Sequence, residues 1–435
     1  MLLKSLSILG LHGTLTLDVH FNEDITLLVG INGSGKTSVL NVIDWLLKPD
    51  LGRLATVEYK SLALRFLEAD TNYELIAEKT SATVTLLVRG TKAPLKSITV
   101  RLNKAAHQEI EDADEIYQGL SPEKHEMPMW ELLKSFSKPT VISLDRTISA
   151  ESDDVQYVET LRGMVSRRDR ARSPLTYVKE VTSSKYADFR TRAIANDNEL
   201  KANIVMSALQ DPKLAFRGEA IKPMSRGEIT RLEEKVSTYL SGTIKSTDVS
   251  KQVRRFFNAS RLLTERHHVG KSQHSLLVDF VITQYRQIES LAKAFNDFET
   301  KNALAFKSLS DYLGAVNRFL NDSKKELYFD ESTGKLVFSV TDSVNKKRAG
   351  RSVSHLSSGE RQILILFTFL ALASKPRSVF IVDEPELSLH PKWQSDFMDV
   401  FLKLRPEGTQ LLIATHSPDI VGKYKASCVS LRGSR

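Results

Sequence analysis

Cysteine is almost absent from this 435-residue sequence, in which it occurs once, as Cys428. A single cysteine excludes an intrachain disulfide framework and a zinc site built from several cysteines, and it fits a reducing compartment. Long apolar runs are also lacking, because the longest, Ile363–Ala373, is too short to cross a bilayer, which takes about 20 residues. The N-terminus, Met1–Ser5, has no cleavable-signal pattern. We therefore expect a cytoplasmic protein without a membrane segment.

Positive charge is concentrated in the middle of the chain. Residues 161–272 contain 23 Lys and Arg against 12 Asp and Glu, whereas the formal net charge of the whole chain is only +8. Such a local excess attracts polyanions, either nucleic acid or acidic protein surfaces. The alternative is a solvated basic face that has no ligand.

Strand patterns flank a helical middle, which predicts three regions: 1–150, 151–325 and 326–435. In the middle region apolar residues recur at three- and four-residue spacing between Leu276 and Phe295, as in a helix that is partly coiled-coil-like. Prolines at 174, 212 and 223 divide this region into pieces. A hairpin formed by Leu327–Asp330 and Lys335–Thr341 is expected to rejoin the sheet.

A glycine-rich loop follows the apolar run Ile25–Val29 and precedes a helical pattern. Its residues are Gly30, Ile31, Asn32, Gly33, Ser34, Gly35, Lys36 and Thr37. Glycines let backbone N–H groups converge on phosphates, and the start of the helix adds partial positive charge. Lys36 is expected to reach the β- and γ-phosphates of a nucleotide, and the Thr37 hydroxyl to bind Mg²⁺. The loop therefore predicts an ATP site that uses Mg²⁺.

Two carboxylates end a second apolar run, Val379–Val382. Asp383 and Glu384 come where ligands gather in open α/β sheets, at the carboxyl end of a buried strand. We expect Asp383 to hold Mg²⁺, directly or through water, and Glu384 to act as the general base that activates the attacking water.

A second anion-binding helix start is predicted at Leu356–Glu360, just before an apolar helix. Within one subunit this feature is redundant, since the glycine-rich loop already surrounds the phosphates. It is explained if Ser357 and the Gly359 backbone contact the γ-phosphate bound by a second subunit. The alternative is an ordinary helix cap.

A histidine follows the last predicted strand, Leu411–Ala414. At such a strand end His416 can reach the γ-phosphate and respond to its loss. A structural histidine is the alternative.

In chain order, the four elements are the glycine-rich loop, the helix start at Leu356–Glu360, the carboxylates Asp383 and Glu384, and His416. Together they resemble the ABC ATPase head of chromosome-structural-maintenance proteins, recombination-repair ATPases and the overcoming-lysogenization-defect family. The resemblance covers Met1–Ala150 and Tyr328–Ser430. It implies an α/β fold, namely an ABC-type P-loop NTPase head with a mixed sheet, an antiparallel β subdomain and a large helical insertion. It also implies hydrolysis of ATP to ADP and phosphate, a dimer-contacting D-loop at Ser388–His390, and a switch histidine at His416. Leu356–Glu360 would be the signature motif, which departs from the commoner Leu-Ser-Gly-Gly-Gln at Ser358 and Glu360. Asp145-Arg146 is the position where a glutamine loop is expected.

Three functions compete within this resemblance. A transporter motor is disfavoured because the insertion is too large, and a DNA-repair or chromosome-maintenance clamp because the insertion is proline-broken. The chain looks most like the ATPases of two-gene antiphage systems, first the PARIS type with its toprim-like effector and then the Septu type with its HNH effector. His416 lies 19 residues from the end, too few for a fused toprim domain, so the effector is expected on a separate chain. His267, His268 and His274 lack the carboxylate and cysteine pattern of a nuclease metal site.

The expected assembly is a homodimer of heads or a higher homo-oligomer that ATP binding closes and hydrolysis reopens. The expected trigger is a polyanion, either DNA or an acidic DNA-mimicking phage protein, at the basic insertion. The candidate surface comprises Arg167, Arg168, Arg170, Arg172, Arg190, Arg192, Arg254, Arg255, Arg261 and Arg266.

Overall fold

The structure is a computed structural model of the 435-residue chain. It describes residues 1–91, 93–102, 117, 122–142, 148–149, 173–208, 224–243, 251–258, 275–340 and 350–431, although not the side chains at 148–149, 207–208, 241–243 and 275–285. The strands are β1 (Leu2–Leu11), β2 (Leu15–His20), β3 (Ile25–Val29), β4 (Ser61–Glu68), β5 (Thr71–Lys79), β6 (Thr83–Arg89), β7 (Ile98–Arg101), β8 (Thr140–Ile142), β9 (Ile148–Ser149), β10 (Lys325–Phe329), β11 (Leu336–Val340), β12 (Arg351–Ser352), β13 (Val379–Asp383), β14 (Gln410–Thr415) and β15 (Cys428–Ser430). The helices are α1 (Lys36–Leu47), α2 (Leu51–Thr56), α3 (Met127–Ser135), α4 (Pro174–Ala208), α5 (Arg226–Thr243), α6 (Ser275–Leu320), α7 (Ser358–Thr368), α8 (Pro391–Leu404) and α9 (Pro418–Val421). Residues 251–258 are also helical.

The chain forms two compact units. The first consists of Met1–Lys185 with Leu309–Arg435, and the second of Tyr186–Ser308. The second unit is shorter at both ends than the predicted insertion 151–325. Residues 309–325 belong to the first unit because their apolar side chains are buried in it: Phe319, for example, packs edge-on against Phe367 with ring centroids 5.4 Å apart. Since residues 151–172 lie outside the described ranges, the predicted region boundaries stay a prediction.

A mostly parallel sheet lies at the centre of the first unit. Its order is β15-β3-β14-β13-β8-β9, and every described pair is parallel except β8 with β9. The apolar runs predicted as buried strands form β3, β13 and β14, and all five residues of β13 are buried. A strand that is covered on both faces needs apolar residues at every position, which is why these segments are continuous runs and do not alternate. The predicted α/β fold with a P-loop ATPase head is confirmed.

A second, antiparallel sheet has the order β2-β1-β4-β5-β6-β7. It is one-sided, with alternate residues such as Leu62, Leu64 and Phe66 of β4 buried. The buried Gln410 of β14 joins it to the central sheet, since its side-chain amide donates to the Leu3 carbonyl at 2.9 Å and accepts from the Leu3 N–H at 2.7 Å. This sheet is the antiparallel subdomain predicted from the sequence.

The hairpin of β10 and β11 does not rejoin either sheet, so that expectation is wrong. It pairs with β12 to form a separate three-stranded antiparallel sheet. The turn is fixed by the Asp330 carboxylate, which accepts from the Ser332 and Thr333 N–H groups at 3.0 and 2.8 Å. Strand patterns predict a hairpin, but they do not identify the sheet to which it belongs.

Long helices build the second unit. Contacts between α4 and α6 run in opposite directions along the two chains: the Phe189 and Phe306 rings lie 4.9 Å apart, and Lys301 pairs with Glu199 at 2.5 Å. The two helices are therefore antiparallel here, and Phe295 is among the side chains in the buried core. Pro174 is the first residue of α4, where proline is tolerated, whereas Pro212 and Pro223 lie outside the described residues. The predicted coiled-coil character stays a prediction.

Among the helices that the structure describes, none combines the length and the apolar character that crossing a membrane requires.

Candidate nucleotide-binding site

The predicted phosphate loop connects the carboxyl end of β3 to the N-terminus of α1. Gly35 caps α1 with a φ of +94°, and a Cβ atom there would lie 2.8 Å from the Leu15 side chain, so only glycine fits without strain. Ile31, Asn32 and Gly33 are exposed at the tip of the loop. Free N–H groups at the first turn of α1 and an open loop above them make a site suited to phosphate.

Lys36 is held inside this loop. Its ammonium group donates to the Gly30 and Ile31 carbonyls at 3.1 and 3.3 Å, and only 4% of the residue is exposed. Burial lowers the Lys36 pKa, while the carboxylates of Glu384, Asp383 and Glu386 oppose that shift. The ammonium therefore lies between the loop and a cluster of acids, where a triphosphate would compete with the two carbonyls for it.

Asp383 ends β13 in a buried position opposite Thr37. Burial raises the Asp383 pKa to about 6; the Thr37 hydroxyl acts against this shift, and Glu384 adds to it. Neither carboxylate oxygen has a hydrogen-bond partner among the described residues by distance and angle. An unpartnered buried carboxylate beside a hydroxyl fits Mg²⁺, which takes few protein ligands and keeps water and phosphate oxygens as the others. The Thr37 and Asp383 side chains would hold that ion.

Glu384 and Lys36 both contact His416. The Glu384 carboxylate lies 3.1 Å from His416 Nε2, and the Lys36 Nζ lies 3.5 Å from His416 Nδ1. Because an ammonium can only donate, this arrangement fits the tautomer with the proton on Nε2, facing the carboxylate. Glu384 also has a left-handed backbone, with a φ of +47°, a conformation that non-glycine residues adopt chiefly where the surrounding structure imposes it. The structure thus brings together the predicted phosphate loop, general base and switch histidine.

A carboxylate that the sequence analysis did not single out organises the loop around His416. Glu386 accepts hydrogen bonds from the Thr415 hydroxyl, the His416 N–H and the Ser417 N–H at 2.8, 2.6 and 3.1 Å. The sequence signal was the spacing Glu384-Pro385-Glu386, which places a second glutamate directly beyond the predicted general base.

Ser357 caps α7. Its hydroxyl accepts from the Glu360 N–H at 3.4 Å, and the Glu360 carboxylate accepts from the Ser357 N–H at 2.7 Å, which together form a capping box. The cap that was the alternative explanation for Ser357 is thus present. The Ser357 hydroxyl remains accessible to another partner, because its bond to the Glu360 N–H is long and the side chains of Ser357 and Ser358 are exposed. Within the described part of the chain, no hydrogen bond or ion pair joins Ser357 or Gly359 to the phosphate loop.

Glu360, the fifth residue of the predicted signature, is only 3% exposed. Besides its cap contact, it accepts hydrogen bonds from the Ser323 hydroxyl at 2.7 Å and from the Lys325 ammonium at 2.8 and 2.9 Å. Burial alone would raise its pKa, but these donors outweigh burial and hold the Glu360 pKa below its ordinary value. The departure from the commoner glutamine at this position is therefore explained by a local ion pair with Lys325.

The predicted D-loop packs on the signature. A Cβ atom at Gly359 would lie 2.5 Å from the Ser388 carbonyl oxygen, so the two backbones approach too closely for any side chain there. Ser388 itself has a φ of +70°. Asp145-Arg146, the expected glutamine-loop position, lies outside the described residues.

Residues 25–422 match the protein family described as "AAA domain, putative AbiEii toxin, Type IV TA system". The chain belongs to this family. With its ABC-type relatives, this membership makes the chain an ABC-type ATPase and confirms the predicted class of reaction.

Relatives of the chain include two named bacterial proteins. The chain is 31% identical over 100 residues to the cell division ATP-binding protein FtsE of Streptococcus pneumoniae serotype 2 (strain D39 / NCTC 7466), which covers 23% of this ATPase and 42% of FtsE. It is 26% identical over 175 residues to the UvrABC system protein A of Malacoplasma penetrans (strain HF-2), covering 39% and 18% of the two chains. The chain therefore spans less than half of the length of each of these two relatives.

Among solved structures, the ATPase aligns with the Smc head domain with an extended coiled coil bound to the C-terminal domain of ScpA, from Pyrococcus furiosus. The alignment covers 99% of this chain and 94% of that chain, at 12% identity and a TM-score of 0.37.

Proposed function

We propose that two copies of this ATPase close head to tail over ATP and Mg²⁺. In this dimer Lys36 and Thr37 of one copy hold the triphosphate, and Ser357 and the Gly359 backbone of the other copy complete the site. Asp383 with Thr37 would bind the metal ion, which neutralises phosphate charge, while Glu384 activates water and His416 contacts the γ-phosphate.

One observation carries this proposal: the chain has two helix starts suited to anions, and both present exposed residues. The phosphate loop exposes Ile31–Gly33 and the start of α7 exposes Ser357 and Ser358, yet no hydrogen bond between described residues links them. A second copy would supply the missing partner of each.

Mixing two inactive variants is expected to restore hydrolysis if the site is shared. Lys36→Ala keeps Ser357, and Ser357→Arg keeps Lys36, so a mixed dimer contains one intact composite site. Each variant alone should be nearly inactive. An equal mixture should recover up to about a quarter of the wild-type rate, because half of the dimers are mixed and each has one intact site of two.

Phosphate release is measured on each variant and on the mixture at equal total protein. Two differently tagged wild-type proteins, mixed in equal amounts and tested for co-purification, serve as the control for subunit exchange. A mixture that only equals the mean of its two components would mean that each site is built within one chain.

The ATP-closed assembly, we further propose, is a sensor and scaffold in antiphage defence that holds a separately encoded effector nuclease, toprim-like or HNH, and releases it on contact with a phage trigger. The family description names a toxin of a toxin–antitoxin system, a two-component arrangement that agrees with a partner on another chain. The order of the motifs and the separate helical unit, Tyr186–Ser308, support the same proposal of a sensor and scaffold.

The trigger surface proposed on the second unit includes Arg254 and Arg255. Both side chains are exposed, and neither forms an ion pair with a described residue, whereas lysines of the same unit such as Lys235 and Lys301 are paired with Glu299 and Glu199. Unpaired arginines remain available to phosphates or to acidic side chains. Arg190 and Arg192 are also exposed, and the other six predicted arginines lie outside the described residues.

Reversing the charge of this surface is expected to weaken polyanion binding without changing ATP hydrolysis. In the double variant Arg254→Glu, Arg255→Glu, the slope of log affinity against log salt for a short DNA duplex should fall by about two, because each arginine contributes about one phosphate contact. Fluorescence anisotropy over a salt series measures it. The variant Lys96→Glu, Lys124→Glu, which changes two exposed lysines of the first unit, controls for net charge.

An unchanged slope in the arginine variant would remove this surface as the trigger site. A second measurement, the retention of circular and linear DNA, addresses the alternative function, a DNA-repair or chromosome-maintenance clamp. A clamp should retain closed circular DNA at high salt only with ATP and lose it when the circle is cut, whereas a sensor should show no difference between circular and linear DNA.

A further inference from the structure

Glu386 is a partly buried acid that the mechanism above does not use. One of its oxygens, Oε1, accepts three hydrogen bonds from the end of β14 and the loop that follows, namely from Thr415, His416 and Ser417. Two of the donors are main-chain N–H groups. A single carboxylate oxygen therefore fixes the backbone on both sides of the His416 Cα atom.

Gln394 of α8 also holds the same loop by hydrogen bonds. The Ser417 hydroxyl donates to Gln394 Oε1 at 2.6 Å, and Gln394 Nε2 donates to the Leu389 carbonyl at 3.1 Å. Ser417 also caps α9 by accepting from the Ile420 N–H at 3.2 Å. Residues 386–389 and 415–417 thus form one hydrogen-bonded network in which His416 is the exposed member between two buried neighbours.

The geometry of the imidazole depends on this network. His416 Nε2 lies 3.1 Å from Glu384 and Nδ1 lies 3.5 Å from Lys36, so the ring bridges the predicted base and the phosphate-loop lysine. A side chain placed between two partners keeps both contacts only if its backbone is held, and displacement by about 1 Å can cost about 100-fold in rate.

The other oxygen of Glu386, Oε2, is buried and without a hydrogen-bond partner among the described residues. Its charge nevertheless acts on the site. Burial raises the Asp383 pKa and lowers the Lys36 pKa, and the Glu386 carboxylate adds to the first shift and opposes the second. Glu386 could therefore act through hydrogen bonds or through charge, and glutamine separates the two. Glutamine keeps an oxygen that can accept the three bonds, but it carries no charge.

We propose that Glu386 is the positioning residue for His416, acting through its three hydrogen bonds and not through its charge. This inference rests on the proposed function, in which His416 contacts the γ-phosphate during hydrolysis.

Four variants test it: Glu386→Ala, Glu386→Gln, His416→Ala, and the double variant of Glu386→Ala with His416→Ala. Glu386→Ala should lower kcat by about 10- to 100-fold while KM changes by less than about threefold, because the phosphate loop is untouched. Glu386→Gln should restore most of the rate. The double variant should be no slower than His416→Ala alone, since a residue that acts through His416 has nothing left to position.

Hydrogen exchange of the 411–420 segment gives a readout that does not require turnover. Its amides should exchange faster in Glu386→Ala and at the wild-type rate in Glu386→Gln. Equal defects in the alanine and glutamine variants would overturn the inference in favour of charge, and additive defects in the double variant would overturn it by showing independent action. If the wild type itself hydrolyses no ATP, the proposed function fails, whereas the exchange result still decides whether Glu386 holds the loop.

Discussion

Replacing Lys36 with alanine is expected to abolish nucleotide binding and, with it, every biological activity of the protein. The Lys36 ammonium is the cation held among the loop carbonyls and three carboxylates, and it is the group expected to meet the β- and γ-phosphates. Without it, the triphosphate loses its lysine contact and meets those carboxylates with one positive charge fewer. Since charge-assisted hydrogen bonds to phosphate contribute about 1.5–3 kcal/mol each, ATP affinity should fall by about 100-fold or more.

A titration with a fluorescent ATP analogue measures this loss, and Lys79→Ala is its matched control. Lys79 also donates to two backbone carbonyls, of Ala55 and Val57, at 2.5 and 2.6 Å, but from the antiparallel sheet. Lys79→Ala should therefore lower stability and leave nucleotide affinity unchanged. If Lys36→Ala retains biological activity, ATP is not the switch.

Replacing Glu384 with glutamine is expected to permit ATP binding while slowing hydrolysis by about 100-fold or more, as for the loss of a general base. Glutamine cannot take a proton from water, although its oxygen can still face His416 Nε2. It also removes one negative charge from the cluster of Asp383, Glu384 and Glu386 that interacts with Lys36. ATP should therefore hold this variant in closed dimers.

Phosphate release and light scattering after gel filtration in ATP measure the two effects, with the exposed Glu131→Gln of α3 as the control for loss of a carboxylate. Normal turnover would show that Glu384 is not the base. Slow turnover by a protein that stays monomeric in ATP would contradict the shared nucleotide site instead.

Local sequence was sufficient for the elements that carry the chemistry. The phosphate-loop strand, Ile25–Val29, has the predicted bounds, and the other two apolar runs form strands within one or two residues of prediction. These segments are apolar at every position because parallel strands are covered on both faces, and glycine at position 35 follows from a backbone conformation that only glycine adopts easily.

Long-range pairing could not be predicted in the same way. The pattern of β10 and β11 indicates a hairpin, but their placement in a separate sheet depends on β12, a two-residue strand with no signal of its own. Likewise, Lys325 forms an ion pair with Glu360 because the chain after α6 packs against the start of α7. No local sequence pattern predicts that contact.

The sequence by itself predicted a phosphate-binding loop at a strand-loop-helix junction and two carboxylates at the end of a buried strand, because glycine spacing and apolar runs are local properties of the chain. These motifs also gave the resemblance to ABC-type ATPases. Only the tertiary structure decided that His416 lies between Glu384 and Lys36, that Glu360 is an ion-paired cap, and that Glu386 holds the histidine loop. These contacts join residues that are between 30 and 380 positions apart in the sequence. The packing of the sheet and its helices brings such residues together, and no short stretch of sequence can predict it.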